Sequence, residues 1–352
     1  MAELSEQYNE TTHMEEEGGP HVVFRAVVEN ARNQSAKLSF LLLGQGLQTI
    51  QAVVAESGTL SRQMVKFCGS VPAESVVLVH ALVKKPKEPV KSATVSHLEV
   101  HIKKLYIECK ADIQLPMQVA DSERPIPQEG EEATSGEEGR PIVTLNTRLN
   151  NRVIDLRGKH NRAIFKIKHG VTELFQQYMQ TLGFIGVQTP KLIGSPSEGG
   201  ANVFEVSYFA TKAFLAQSPQ LYKQMLISAR MERVYEVGPI FRAENSNTAR
   251  HLTEFTGLDM EMEIQEHYHE AVEVLENLML FIFNGLKTKY KTETDLVRSI
   301  YHVEEFKLPE AGHVPRIPFP EGIEMLRKDG VEIGDYDDLR YVTIFYGKGL
   351  LC

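Results

Sequence analysis

Residues 20–115 place their apolar side chains in short runs. His21–Glu29, Leu38–Leu43, Thr49–Val54, Ser75–Val83 and Leu98–Ile107 are rich in Val, Ile and Leu, and Gly, Asn, Pro and Lys divide them as turns divide strands. In the last run Leu98, Val100 and Ile102 alternate with Glu99, His101 and Lys103, the period of a strand buried on one face. Ser57–Phe67 reads as a short helix between the middle strands. Five strands with a helix after the third is the plan of an OB-fold β-barrel, whose open face often takes single-stranded nucleic acid. Phe40 and Gln51 fall on the second and third strands, a ring for stacking and an amide for base edges. On the residues alone, Phe40 reads more simply as core.

From residue 160 the period changes. Ile164, Ile167, Val171, Leu174, Phe175, Tyr178, Met179 and Leu182 recur at three- and four-residue steps, so residues 160–182 are predicted to form an amphipathic helix ended by Gly183. Phe184–Pro190 follows as a strand stopped by its proline. Ser218 and Pro219 are an N-cap and a first-turn proline, opening a helix that runs to about Arg230. Val234–Glu244 and Leu252–Gln265 read as strands joined by the polar loop Asn245–His251, and residues 267–290 read as a second amphipathic helix. Strand pairs are local and do not alternate regularly with helices. That predicts an α+β domain built on an antiparallel sheet. The phosphate-loop strings GxxxxGK and GxGxxG are both absent.

The 352 residues carry a formal charge of −9, unevenly spread. Residues 1–20 hold six Glu and no Lys or Arg; residues 21–115 hold twelve basic against seven acidic side chains; residues 116–141 hold two against seven. A basic barrel in an acidic chain suits a polyanionic partner, although scattered solvated lysines explain the charge as simply. Residues 1–20 lack an apolar face, and Ser122–Pro141 is rich in Pro, Gly, Glu and Ser. Neither buries enough to offset its ordering entropy, so both are expected to be unstructured, with a domain boundary at the second. Cys68, Cys109 and Cys352 lie far apart with no CxxC spacing, which excludes a disulfide scaffold and a cysteine zinc site and suits a reducing compartment. No apolar run approaches the ~18 residues of a membrane span, and the start lacks a secretion-signal pattern. A cytoplasmic, membrane-free protein is expected.

Candidate chemistry concentrates in Gly238–Ile264, GPIFRAENSNTARHLTEFTGLDMEMEI. Side chains two apart share a strand face, so Arg242 and Glu244 point together. On the return strand Asp259, Glu261 and Glu263 share one face, and Leu258, Met260, Met262 and Ile264 take the other. Three carboxylates on one side need something positive opposite: Arg242, a divalent cation, or the ammonium of a substrate. Simple solvation competes with this, most strongly for Glu263 at the strand end. An arginine suits the two-bond grip on a phosphate or carboxylate.

FRAENSNTARHLTEF resembles motif two of the class II aminoacyl-tRNA synthetases, in their aspartate–asparagine–lysine subgroup. SEGGANVF (Ser197–Phe204) and QSPQLYKQ (Gln217–Gln224) are similar to the aspartate-specific branch of cytoplasmic eukaryotic and archaeal type. TRLNNRVIDLR (Thr147–Arg157) resembles that family's hinge, and Phe184–Pro190 the end of its motif one, which builds a dimer interface. The resemblance runs from about residue 21 to Leu339. It implies an acidic tail over 1–20, an anticodon-binding OB-fold barrel over 21–115, a linker and hinge over 116–146, and a class II catalytic domain over 147–339.

The implied activity is aspartate–tRNA ligation: L-aspartate and ATP, with Mg2+, form aspartyl-adenylate, and the aspartyl group passes to tRNA(Asp). The resemblance implies that Lys223 meets the substrate's side-chain carboxylate, with Gln220 on the same helical face. An amide opposite a buried ammonium would be poorly paired. Glu198 is expected to hold the substrate's ammonium group. Arg242 is the implied catalytic residue, bridging the aspartate α-carboxylate and the ATP α-phosphate. Glu244 is expected to meet the adenine amino group and Phe255 to stack on adenine, with Arg250, His251 and Leu252 near the ATP tail. Asp259 and Glu261 are placed on the metal side. The loop Asn245–Ala249 is expected to reach the tRNA acceptor end, while Phe40, Gln51 and Glu99 contact the anticodon. A homodimer, alone or within a larger synthetase assembly, follows from the family.

Two departures accompany the match. The family's third motif has no GxGxER-like counterpart, and Arg340–Cys352 looks unrelated. A C-terminally truncated, incomplete catalytic domain with exposed sheet edges is therefore expected. A non-catalytic tRNA-binding or partner-binding relative is the alternative. In the barrel, Gly44 stands where family members commonly carry arginine.

Overall fold

The computed structural model describes residues 1–8, 19–124, 143–197, 203–244, 252–301, 303–309 and 313–337. The chain divides into two compact units, Met1–Ile164 with Ser299–His302, and Phe165–Arg298 with Val303–Cys352.

In the first unit, strands β1 (His21–Ser35), β2 (Leu38–Gln45), β3 (Gln48–Ala55), β4 (Val76–Lys84) and β5 (Glu99–Cys109) close a barrel in the order β1-β2-β3-β5-β4. Only β3 and β5 pair parallel. The alternation in the sequence is what fills it: Leu98, Val100 and Ile102 are buried with Val77, Val79, Ala81 and Val83 of β4 and Leu41 and Leu43 of β2. Part of the expected N-terminal disorder is overturned. Residues Ala2–Gln7 form helix α1, and Met1, Leu4 and Tyr8, spaced by three and four, pack against the barrel core. Helix α2 (Arg62–Cys68) starts later than the sequence suggests, because Ser61 caps it by accepting the Met64 N–H, and Ser57 and Leu60 form a bridge before it. Residues 9–18, 125–142 and 338–352 of the expected tails and linker lie outside the described residues.

After the short helix α3 (Val119–Ser122), the hinge string folds within helices α4 (Leu145–Asn150) and α5 (Arg152–Asp155), which are followed by α6 (Lys159–Thr181). Asp155 is fully buried and receives Arg148 Nε and Arg152 Nη1, each at 2.6 Å. Arg148 Nη2 lies 2.7 Å from His160 Nε2. A buried carboxylate needs such partners, and these bonds tie α4, α5 and the start of α6 together.

The second unit continues α6, which ends at Gly183 with a φ of 76°, the left-handed cap that glycine allows. Then come β6 (Ile185–Gly186), β7 (Leu192–Ile193), β8 (Glu205–Tyr208), β9 (Thr211–Leu215), α7 (Gln220–Leu226), β10 (Arg233–Phe241), β11 (Glu254–Met262), α8 (His269–Thr288), α9 (Lys291–Tyr301) and α10 (Phe319–Lys328). One sheet has the order β11-β10-β6, with β10 antiparallel to β11 and parallel to β6; the other, β7-β9-β8, is antiparallel. Leu174, Phe175 and Met179 of α6 pack with Leu278, Ile282 and Leu286 of α8 and Tyr235 of β10. The expected strand over Phe184–Pro190 shrinks to two residues. The helix expected to reach Arg230 gives way after Leu226 to one wide turn, Ile227–Met231, in which Arg230 has a φ of 67°. Among the described residues, no helix is long and apolar enough to cross a membrane.

Candidate active site

The antiparallel register of β10 and β11 sets Val234 against Glu261, Glu236 against Asp259, Gly238 against Gly257 and Ile240 against Phe255. The alternate residues Tyr235, Val237, Met260 and Met262 join the core. The first set therefore forms one face, with three acids at one end. Helix α7 closes over that end and delivers Lys223, only 2% exposed. Its ammonium donates to Asp259 Oδ1, to the Met260 carbonyl at 2.9 Å and to Glu261 Oε2 at 3.2 Å. An ammonium has three hydrogens, and all are used. Two carboxylates and a carbonyl are what make its burial tolerable.

Mid-face, the paired Gly238 and Gly257 put no side chain over the sheet, and a β-carbon at Gly257 would run into the Ile240 side chain. Beyond them lies Arg242, held by its N–H on the Thr253 carbonyl at 3.0 Å, its guanidinium 5.7 Å from the Phe255 ring centre. Asp259 lies four residue steps from Phe255, about 13 Å along β11.

The barrel carries a second cluster. Gln51 pairs with Leu42 on one side and Glu99 on the other, and its Nε2 donates to Glu99 Oε2 at 3.1 Å. His101 Nε2 lies 2.8 Å from Glu99 Oε1. The Arg32 guanidinium sits 5.4 Å from the Phe40 ring centre, and Asn30, Arg32, Phe40 and Gln51 line a recess of about 130 Å³. Burial pushes the Glu99 carboxyl upward, but hydrogen bonds from His101 and Gln51, with the charges of His101 and Lys84, hold it below the usual carboxylate value. The cluster offers an aromatic face, an amide and an ionised acceptor together.

Residues 144–345 match the family model described as tRNA synthetases class II (D, K and N), more than half of the chain. The chain belongs to that family. The cytoplasmic aspartate–tRNA ligase of Homo sapiens is 46% identical over 315 residues, covering 90% of this chain and 61% of the relative. That of Caenorhabditis elegans is 44% identical over 313 residues, covering 89% and 59%. This class II synthetase chain thus spans about three-fifths of the length of these relatives. Its fold superposes on the aspartyl tRNA synthetase from Entamoeba histolytica with a TM-score of 0.79 at 37% identity, covering 94% of this chain and 64% of that one. A putative aspartyl-tRNA synthetase from Leishmania major Friedlin gives 0.82 at 32%, covering 97% and 70%. The asparaginyl-tRNA synthetase from Pyrococcus horikoshii complexed with asparaginyl-adenylate gives 0.71 at 26%, covering 93% and 68%.

On this synthetase frame, the sheet gathers Lys223, Asp259, Glu261 and Phe255 on one face, with Arg242 at its end. Glu244 follows on the same segment, its N–H on the Arg242 carbonyl at 2.9 Å. Gln220 is exposed at the start of α7, its N–H 3.4 Å from Ser218 Oγ, and Leu252 is exposed. Glu198, Asn245–Ala249, Arg250 and His251 lie outside the described residues. Asp259 and Glu261, expected on the metal side, each give one oxygen to Lys223, and among the described residues no three His, Cys, Asp or Glu side chains converge on a cation site. Sequence reasoning passed over Thr189, Lys191 and Glu236 beside this face, and Arg32 and His101 on the barrel. Glu236 is in phase with Val234 and Gly238, and that alternation was the available signal.

Proposed function

We propose that the second unit joins L-aspartate to ATP as aspartyl-adenylate, and that the barrel binds the anticodon of tRNA(Asp). In this reading the protein is a cytoplasmic aspartate–tRNA ligase that acts as a homodimer. The observation that carries the reading is a buried ammonium, Lys223, on the same strand face as Arg242 and Phe255.

All three Lys223 hydrogens are engaged, so a substrate must exchange with one partner. The bond to Glu261, at 3.2 Å, is longer than the one to the Met260 carbonyl, and the aspartate side-chain carboxylate takes its place. An asparagine amide brings no charge to replace that of Glu261. A similar fold serves a relative named for asparagine, so the choice of amino acid falls on a few side chains, and Lys223 is the group to make it. The substrate then lies from Lys223 toward Arg242, over the glycine pair, with its ammonium toward Glu198 and with Gln220 beside it. Its α-carboxylate and the ATP α-phosphate meet at Arg242. Adenine rests on Phe255 near Glu244, and Arg250, His251 and Leu252 surround the nucleotide.

A carboxylate oxygen attacks the α-phosphorus in line, and the bond to pyrophosphate breaks. A terminal tRNA hydroxyl then takes the aspartyl group and releases AMP. A carboxylate is already a nucleophile, so the protein's part is to align two anions and offset their charge. Mg2+ enters with ATP as part of that substrate. Asp259 and Glu261, each bonded to the Lys223 ammonium, do not fit a resident ion.

Calorimetric titration with non-hydrolysable aspartyl- and asparaginyl-adenylate analogues tests the reading. The aspartyl analogue is expected to bind at least about 100-fold tighter, and Arg242→Ala to lose most of that affinity. Equal affinity for the two analogues, or undiminished binding by a folded Arg242→Ala, would refute it.

A further inference from the structure

We propose that Lys191 and Glu236 are a positioning pair for the amino-acid pocket: Lys191 neutralises Glu236 so that Asp259 and the Lys223 ammonium keep their places. Glu236 is 3% exposed, and the activation chemistry above makes no use of it. Its two oxygens accept the Thr189 N–H at 2.9 Å and the Thr189 hydroxyl at 2.7 Å. The Lys191 ammonium lies 3.0 Å from Glu236 Oε2 and donates to Thr189 Oγ1 at 2.9 Å.

Glu236 is the direct cross-strand partner of Asp259, which brings their β-carbons to roughly 5 Å. Like charges so placed repel, and here each has its own lysine. The face carries the sequence Lys191, Glu236, Asp259, Lys223, Glu261, with cation and anion matched at both ends of the acid pair. A β-carbon at Gly238 would stand 3.2 Å from Glu236 Oε1 and 3.4 Å from Lys191 Cε, so the ion pair packs directly against this glycine. The Lys191 carbonyl is fixed by the Ala216 N–H at 2.9 Å. Without Lys191, a buried carboxylate faces Asp259 uncompensated and competes for Lys223.

The pair acts through Asp259 and Lys223, not on the substrate, and its link to aspartate rests on the function proposed above. The charged groups facing Lys223 are Asp259 and Glu261 from β11 and, across the strand pair, Glu236 from β10 with Lys191 behind it. The test is trace acetylation of Lys223 in the full chain at about pH 8, followed by peptide mass spectrometry. Without Lys191 the Lys223 ammonium is drawn from its place between Asp259 and Glu261, so Lys191→Met is expected to speed labelling of this buried lysine about three- to tenfold. Lys191→Arg, which keeps the charge, and the double variant Lys191→Met/Glu236→Gln, which removes the stranded one, are expected to stay within about twofold of the parent. Unchanged labelling overturns the pair, as does failure of Glu236→Gln to restore the rate. Slower labelling, the sign of an ammonium held no less firmly, overturns it equally. Aspartate added to the parent separates the two claims. If it fails to protect Lys223 while Lys191→Met still speeds labelling, the pair stands and the aspartate reading falls; if it protects while Lys191→Met changes nothing, the pair alone falls.

Discussion

Replacing Lys223 by methionine keeps most of the buried stem and removes only the ammonium. Three acceptors then lose a donor: Asp259 Oδ1, Glu261 Oε2 and the Met260 carbonyl. Removing one partner of a fully buried ion pair typically costs about 3–5 kcal/mol, because the remaining charge stays behind. Asp259 and Glu261 keep 32% and 27% of their side chains exposed, so water recovers part of the loss. A cost of about 2 kcal/mol follows. For a unit of this size that is about 4–8 °C in melting temperature, measurable by differential scanning calorimetry. The triple variant Lys223→Met/Asp259→Asn/Glu261→Gln removes the stranded charges as well and is expected to regain most of the stability. Aspartate should raise the melting temperature of the parent and leave that of Lys223→Met unmoved. A Lys223→Met protein that melts with the parent and still responds to aspartate would sink the assignment. One that melts low without recovery in the triple variant would show that the loss is packing, not charge.

Three further outcomes are expected. Asp155→Asn strips the buried anion from Arg148 and Arg152 and should cost about 3–5 kcal/mol in urea unfolding; a change below about 1 kcal/mol would refute its structural role. Burial first, then the charge of Arg148, lowers the His160 pKa from its ordinary 6.5, against a smaller opposing pull from Asp155. The fold therefore favours neutral imidazole. The stability this gives is complete above about pH 6.5 and drains away as pH falls toward the folded value, so His160→Gln should flatten the melting profile on that acid side. Burial pushes the Cys68 thiol up to about 12, whereas Cys109 is exposed. Alkylation of the native chain near neutral pH should mark Cys109 and spare Cys68, and comparable rates by peptide mass would contradict that burial.

What the sequence revealed and what it hid divide along a physical line. The barrel strands and the two faces of β11 were legible because burial on one side writes a two-residue period locally: Asp259 and Glu261 against Met260 and Met262. Helix α1 escaped because Met1, Leu4 and Tyr8 give too little apolar surface to stand out among six glutamates. The short strands β7 to β9 escaped because each is two to five residues long, below the length at which a period can be read. At the site, the resemblance supplied roles, but periodicity could not say that Lys223 is buried: a lysine on a short helix reads the same whether it faces water or a pair of carboxylates. The partners of Glu236 lie 47 positions away at Thr189 and 45 at Lys191, and no local pattern links them. Such contacts are set by the antiparallel register, so they become visible only when both strands are in place. On the function proposed above, they bear on specificity for the same reason. The motif positions hold the groups expected to touch substrate, while charges brought in from distant segments set how firmly those groups are held. In this synthetase chain, the balance between Lys191 and Lys223 across the Glu236–Asp259 pair is where a change of amino-acid preference should be sought first.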